Sequence, residues 1–285
     1  MLARNPDAVT RRIAVVLGTR GSGQQLLHVL QPLLGEETET DLRGVFIEDD
    51  ELQQAAALPF VKEVCRLTLG VREIHSARLE RIVALRTRTA RKAVAGLARR
   101  MGVAHSFLNL RGSTVSLLRE TAHSADITVF EPQPMFVAAP VLSPLWSSRP
   151  QQRIVVAVDD PATGVRALVT AALLAEGDMH RISVLLIAST RGEQAALERM
   201  ISDLLPATPA SIVLLSKPGV KNLIAAARAE DTGMLVLGTS EEILKPESLR
   251  SLLEQVSCPV FLVRRWDNKP IDGVRVKCQS SDSGT

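Results

Sequence analysis

Two short stretches carry residue types that could do chemistry. Gly18-Thr-Arg20-Gly21-Ser22-Gly23-Gln24-Gln25 follows an apolar run and opens a helical pattern. Glycines there would let the backbone approach a ligand, and amides at a helix start face an anion. Compared with the Gly-x-x-x-x-Gly-Lys-Ser/Thr phosphate loop, Gln24 and Gln25 stand where the lysine and the hydroxyl belong. NTP hydrolysis is therefore not expected, although Gly18, Arg20, Gly21, Ser22 and Gly23 remain candidates for holding an anion. The plain alternative is a glycine-rich turn between a strand and a helix. The second stretch, Asp159-Asp160, closes another apolar run at the strand end where α/β sheets bind ligands. These acids would suit a neutral or cationic ligand; as structure alone they are a turn and helix-capping pair before Pro161.

No catalytic constellation accompanies them. Ser22 lacks the first glycine of a nucleophile elbow and has no identifiable His/Asp partner. The five histidines form neither HxH nor HExxH, so no metal centre is expected. Three cysteines (Cys65, Cys258, Cys278) contain no CxxC pair, which fits a reducing, cytoplasmic setting. The chain is expected to be non-enzymatic.

The elements that must position these residues come from a chain of 285 residues, 46% apolar and 23% charged, long enough for two self-sufficient cores. No apolar run is long enough to span a bilayer, and no signal peptide is visible. The two halves open alike. Arg12-Ile-Ala-Val-Val-Leu-Gly18 and Arg153-Ile-Val-Val-Ala-Val-Asp159 are both apolar, β-branched runs followed by a turn and a helical pattern ending near Gly35 and Gly177. Strands are expected in the first half at Leu42–Ile47, Phe107–Leu110 and Ile127–Phe130. In the second they are expected at Ile182–Ile187, Ile212–Leu215, Met234–Leu237 and Val260–Val263, with helices between. Near-continuous apolar strands alternating with helices predict an α/β fold of two tandem, doubly wound, Rossmann-like parallel sheets. The domains are placed at 1–150 and 151–265, with 266–285 as a flexible tail. The first half carries an insertion, a short helix Asp50–Leu58 and a long one from Ser76 to Met101, and looks truncated after Phe130, where five prolines follow before residue 151.

This arrangement resembles a tandem universal stress protein. Three stretches carry the resemblance: Val155-Val-Ala-Val-Asp159; Met234-Leu-Val-Leu-Gly238; and Val256-Ser-Cys-Pro-Val-Phe-Leu-Val263. Val45-Phe-Ile-Glu-Asp-Asp-Glu-Leu52 and Ala57-Leu-Pro-Phe60 look like the amino-terminal domain of tandem members. The resemblance implies ATP or AMP as a cofactor to be tested. Family members hold ATP with Gly-x-x-Gly, nine residues, then Gly-Ser or Gly-Thr, and Asp159 would contact the adenosine. Here Gly238 matches the first glycine, but Glu241 replaces the second and Pro246-Glu247 replaces the final pair. Proline donates no N–H, and a carboxylate about 4 Å from a phosphate charge costs roughly 4 kcal/mol at an effective dielectric of 20. Equally, Pro246-Glu247 is a good helix start. Both readings remove the ATP site, so no bound cofactor is expected. The alternative is a nucleotide-binding stress-response switch using the Gly18–Gly23 loop or Asp159.

Charge is uneven: Arg72 to Arg111 holds ten Lys/Arg against two Glu, a surplus of +8, leaving −5 elsewhere. The helix from Arg78 to Arg100 is thus a candidate docking surface for a protein partner. Aromatics are 3% with no tyrosine, and no nucleic-acid-binding motif is present, which argues against nucleic acid. The resemblance also implies an internal pseudo-dimer of the two halves. A further homodimer would pair through Val260–Val263, read as an exposed edge strand.

Overall fold

A computed structural model describes residues 10–18, 23–35, 39–58, 62–64, 70–73, 76–132, 153–205, 207–215, 219–230 and 232–265. The first half contains β1 (Arg11–Gly18), α1 (Gln24–Val29), α2 (Gln31–Leu34), β2 (Thr40–Asp49) and α3 (Asp50–Ala57). It continues with β3 (Lys62–Val64), β4 (Val71–Glu73), α4 (Ser76–Met101), β5 (Ala104–Gly112), α5 (Thr114–Ser124) and β6 (Ile127–Phe130). The second half contains β7 (Arg153–Val158), α6 (Pro161–Leu174), β8 (Ile182–Ile187), α7 (Arg191–Leu204) and β9 (Ser211–Leu215). It ends with α8 (Val220–Ala229), β10 (Thr232–Gly238), α9 (Pro246–Gln255) and β11 (Val260–Val263). The junction at 133–152 and the tail after 265 lie outside the described residues.

Local signals account for most boundaries. Asp49 accepts a hydrogen bond from the Glu51 amide and starts α3. Thr190 and Glu193 form a reciprocal capping box on α7. Pro161 and Pro246 sit in the first turns of α6 and α9, where a missing N–H does no harm. The first apolar helical pattern, by contrast, is broken into α1 and α2, because Pro32 cannot donate into the preceding turn. A two-stranded antiparallel piece, β3–β4, also lies within the insertion, where no strand was expected.

Nine strands form one sheet in the order β5-β2-β1-β6-β11-β10-β7-β8-β9. Every neighbouring pair is parallel except β6 and β11, which run antiparallel with Val260 opposite Phe130 and Val263 opposite Ile127. The strand expected to be a free edge is therefore the central one, and Val260–Val263 are at most 1% exposed. A second copy cannot pair through it. The physical reason lies in β6, whose four residues Ile-Thr-Val-Phe are all buried, and whose open side needs a backbone partner. Among the described residues the first half gives the sheet four strands, so β11 fills the place of a fifth.

The antiparallel join also sets direction. Strands of the two halves end at opposite rims of the sheet. Helices cover both faces in two layers, each continuous across the join. One layer unites Ile13, Val15 and Leu17 with Ile154, Val156 and Val158; the other unites Val16, Val45 and Phe130 with Val155, Ala157 and Leu235. At the join, buried Asp126 accepts the Arg12 amide at 2.8 Å and lies 3.8 Å from Arg166 and 3.9 Å from Arg264. Arg264 in turn donates to the His123 carbonyl at 2.8 Å. Burial pushes the Arg166 guanidinium down to about 10 despite the favourable charge of Asp126.

The long helix α4 packs on β2 and β5 with Val83, Ala90, Val94, Leu97 and Ala98 buried. Gly102, at φ +68°, ends it in a conformation that glycine adopts without strain. Its outer face is basic: Arg78, Arg81, Arg86, Arg88, Lys92, Arg99 and Arg100 are exposed, with Ile82 and Leu85 among them. Arg91 lies over the Phe107 ring, 5.1 Å from its centre.

Candidate functional site

The described sequence candidates fall into two groups, one at each rim. In the first half, Gly18 ends β1, beside β2 on one side and β6 on the other, where the strand order reverses. A cavity of about 410 Å³ opens there. Its walls come from the ends of β1, β2 and β6, the start of α5 at Ser113, Thr114 and Val115, and the end of α9. Four carboxylates (Asp49, Glu51, Glu131, Glu254) face it against Arg250. Asp49 is already engaged, accepting from the Glu51 amide at 3.0 Å and the Thr114 hydroxyl at 3.4 Å. Burial pushes the Glu131 carboxyl above its usual value. The lining otherwise is apolar (Val16, Ile47, Leu118, Phe130, Leu253).

Of the glycine-rich loop, Arg20, Gly21 and Ser22 lie outside the described residues. Gly23 has φ +64°, and a Cβ there would stand 2.7 Å from Leu17 Cδ2. The positive φ by itself gives this glycine a backbone reason, without any ligand. Arg250, Leu253 and Glu254 were not legible as site residues, since they approach Gly18 only because β11 carries α9 into the first half.

In the second half, Asp159, Asp160 and Gly238 are brought together at the ends of the neighbouring strands β7 and β10. Asp160 caps α6, accepting from the Thr163 amide at 3.0 Å. Asp159 is exposed as a residue, yet partial burial of its carboxyl raises its pKa; hydrogen bonds, one from Ser240, oppose this, and the charge of Asp160 adds to it. A Cβ on Gly238 would lie 2.8 Å from both Cβ and Oγ1 of Thr163. This glycine is needed for helix α6 to approach the strand.

The segment after Gly238 is folded on itself. The Thr239 amide donates to the Val263 carbonyl at 2.9 Å and the Ser240 amide to Gly238 at 3.1 Å. The Ile243 amide donates to Ser240 Oγ at 3.4 Å, Leu244 to the Ser240 carbonyl at 3.1 Å, and Lys245 to Glu242 at 3.4 Å. Ile243 and Leu244 are buried, and Lys245 Nζ pairs with Glu242. These five amides are occupied within the protein and do not point outward as a phosphate cradle would require.

No protein-family model and no curated protein matches the sequence. The structure, however, is similar to that of a universal stress protein from Archaeoglobus fulgidus DSM 4304: TM-score 0.51, 12% identity, covering 90% of this chain and 97% of that one. The fold is the universal stress protein fold. A functionally unknown protein from Pseudomonas aeruginosa PAO1 is similar at TM-score 0.46 and 15% identity over 90% of this chain and 92% of that one. Gly238 and Asp159 lie at the ends of neighbouring strands, and the segment between Gly238 and Pro246 is closed by its own hydrogen bonds. Among the described residues no group of three or more His, Cys, Asp and Glu could hold a metal ion, and no helix is long and apolar enough to cross a membrane.

Proposed function

We propose that this chain is a tandem universal-stress-type regulatory protein that acts by binding, not by catalysis, and that its second half does not hold ATP in the family manner. The observation that supports this is the Gly238–Pro246 segment, five of whose amides are bonded within the protein, with Glu241, Glu242 and Glu247 around it. Its surfaces then do the work, with the exposed basic face of α4 taking an acidic protein partner. Thermal shift and titration calorimetry with ATP and AMP test the proposal. No stabilisation that depends on Asp159 is expected; tight ATP binding abolished by Asp159→Ala would overturn it.

One observation favours a second reading, a nucleotide switch in the first half: Gly18 lines a cavity of about 410 Å³. Phosphates there would meet Asp49, Glu51, Glu131 and Glu254, which weighs against it. ATP binding that survives Asp159→Ala but is lost in Gly18→Val would select this second site.

A further inference from the structure

A cleft of about 590 Å³ lies at the opposite rim from Gly18, where the halves meet. First-half residues Arg119 and His123, on the later turns of α5, form one wall. Thr239, Glu241, Leu244 and Lys245, after β10, form the second, and Arg264 and Arg265, after β11, the third. Among the described residues of its lining, four fixed cations and a histidine therefore face a single carboxylate, in a chain whose net charge is only +3.

The four cations are not equivalent. Lys245 is paired with Glu242. Arg264 donates to the His123 carbonyl and leans on Asp126, so it holds the halves together. Arg119 and Arg265 have no carboxylate within ion-pair distance among the described residues. Two guanidiniums from different halves thus line one concave surface with no carboxylate in ion-pair distance among the described residues. A concave wall of one sign concentrates the opposite charge, and guanidinium forks match phosphate oxygens in geometry. Cations near a helix C-terminus also offset its dipole, which accounts for His123. That explanation does not reach Arg265, which lies on no helix.

We infer that this cleft binds a multiply charged, phosphate-bearing anion, held by Arg119 and Arg265. The site is distinct from the one at Asp159. In the sheet, β11 and β7 flank β10 on opposite sides, so Arg264 and Arg265 lie across the Gly238–Pro246 segment from Asp159. Because its walls come from both halves, bound anion clamps the antiparallel join and raises the melting temperature of the whole chain.

The test uses the full chain with inorganic phosphate, pyrophosphate, ATP and adenosine, against sodium chloride at matched ionic strength. Pyrophosphate at about tenfold over its Kd is expected to raise Tm by roughly 2–4 °C beyond chloride. Arg119→Ala and Arg265→Ala should each weaken binding about tenfold, while the lysine replacements retain part of the affinity. Glu241→Gln should tighten it. Tm in chloride monitors folding of each variant. Phosphate and ATP binding with adenosine inert identifies the phosphate group as the recognised part; phosphate without ATP restricts the site to small anions. A pyrophosphate shift no larger than that of chloride, or undiminished binding in both alanine variants, overturns the inference. ATP binding that depends on Arg119 but not on Asp159 leaves the proposed function standing, whereas dependence on Asp159 alone overturns both.

Discussion

Gly238 shows how a residue that matches a ligand-binding motif can have an entirely internal reason. Thr163, β-branched and buried, stands so close that any side chain at 238 must push helix α6 away. Gly238→Ala is expected to lower stability by about 1–3 kcal/mol in denaturant unfolding, with or without ATP. Asp160 likewise serves Thr163 as a cap. Glu131 has a different character, because burial raises its pKa and the folded state therefore disfavours its charge. For such an acid, stability is fully present below the unfolded value and falls as pH rises through the folded one. Glu131→Gln should thus be more stable than the parent at neutral pH, the gap closing as pH falls toward 4.5, the ordinary glutamate value. Urea midpoints measured from pH 4 to 8 would check the sign.

Among the elements, α4 divides along its length into a buried stripe and a basic outer face. Leu97 is 0% exposed and Leu85 is 64% exposed, although both are leucines of one helix. Leu97→Ala is expected to cost about 2–5 kcal/mol and Leu85→Ala under about 0.5 kcal/mol in the same unfolding assay. If both were costly, the outer face would be packed against something, and α4 would not be a free docking surface. The helix and its apolar spacing were legible from sequence because period and capping act locally. The break between α1 and α2 was legible only in hindsight, through Pro32. The β3–β4 pair had no signal strong enough to read, since three residues cannot show a period.

For the whole molecule, the decisive feature is the antiparallel join of β6 to β11. Continuous apolar layers on both faces predict that the halves unfold together, so calorimetric and van't Hoff enthalpies should agree. Asp126 anchors this join from within. Asp126→Ala leaves Arg166, whose side chain is 10% exposed, without its carboxylate and should cost about 3 kcal/mol while keeping a single transition. Two separated transitions in that variant would mean that the halves are coupled mainly through this polar node rather than through the shared layers.

The sequence by itself determined the strand runs, the order of strand and helix, and the long helix from Ser76 to Met101. These depend on composition and spacing within about a dozen residues, where propensity and periodicity operate. Only the tertiary structure decided that Val260–Val263 is the centre of the sheet, that the Gly18 and Asp159 groups face opposite rims, and that α9 closes a cavity more than two hundred residues away in sequence. An open strand edge specifies that a partner must come, but not which one. That choice is made by chain connectivity and by the apolar surface remaining once both halves have folded.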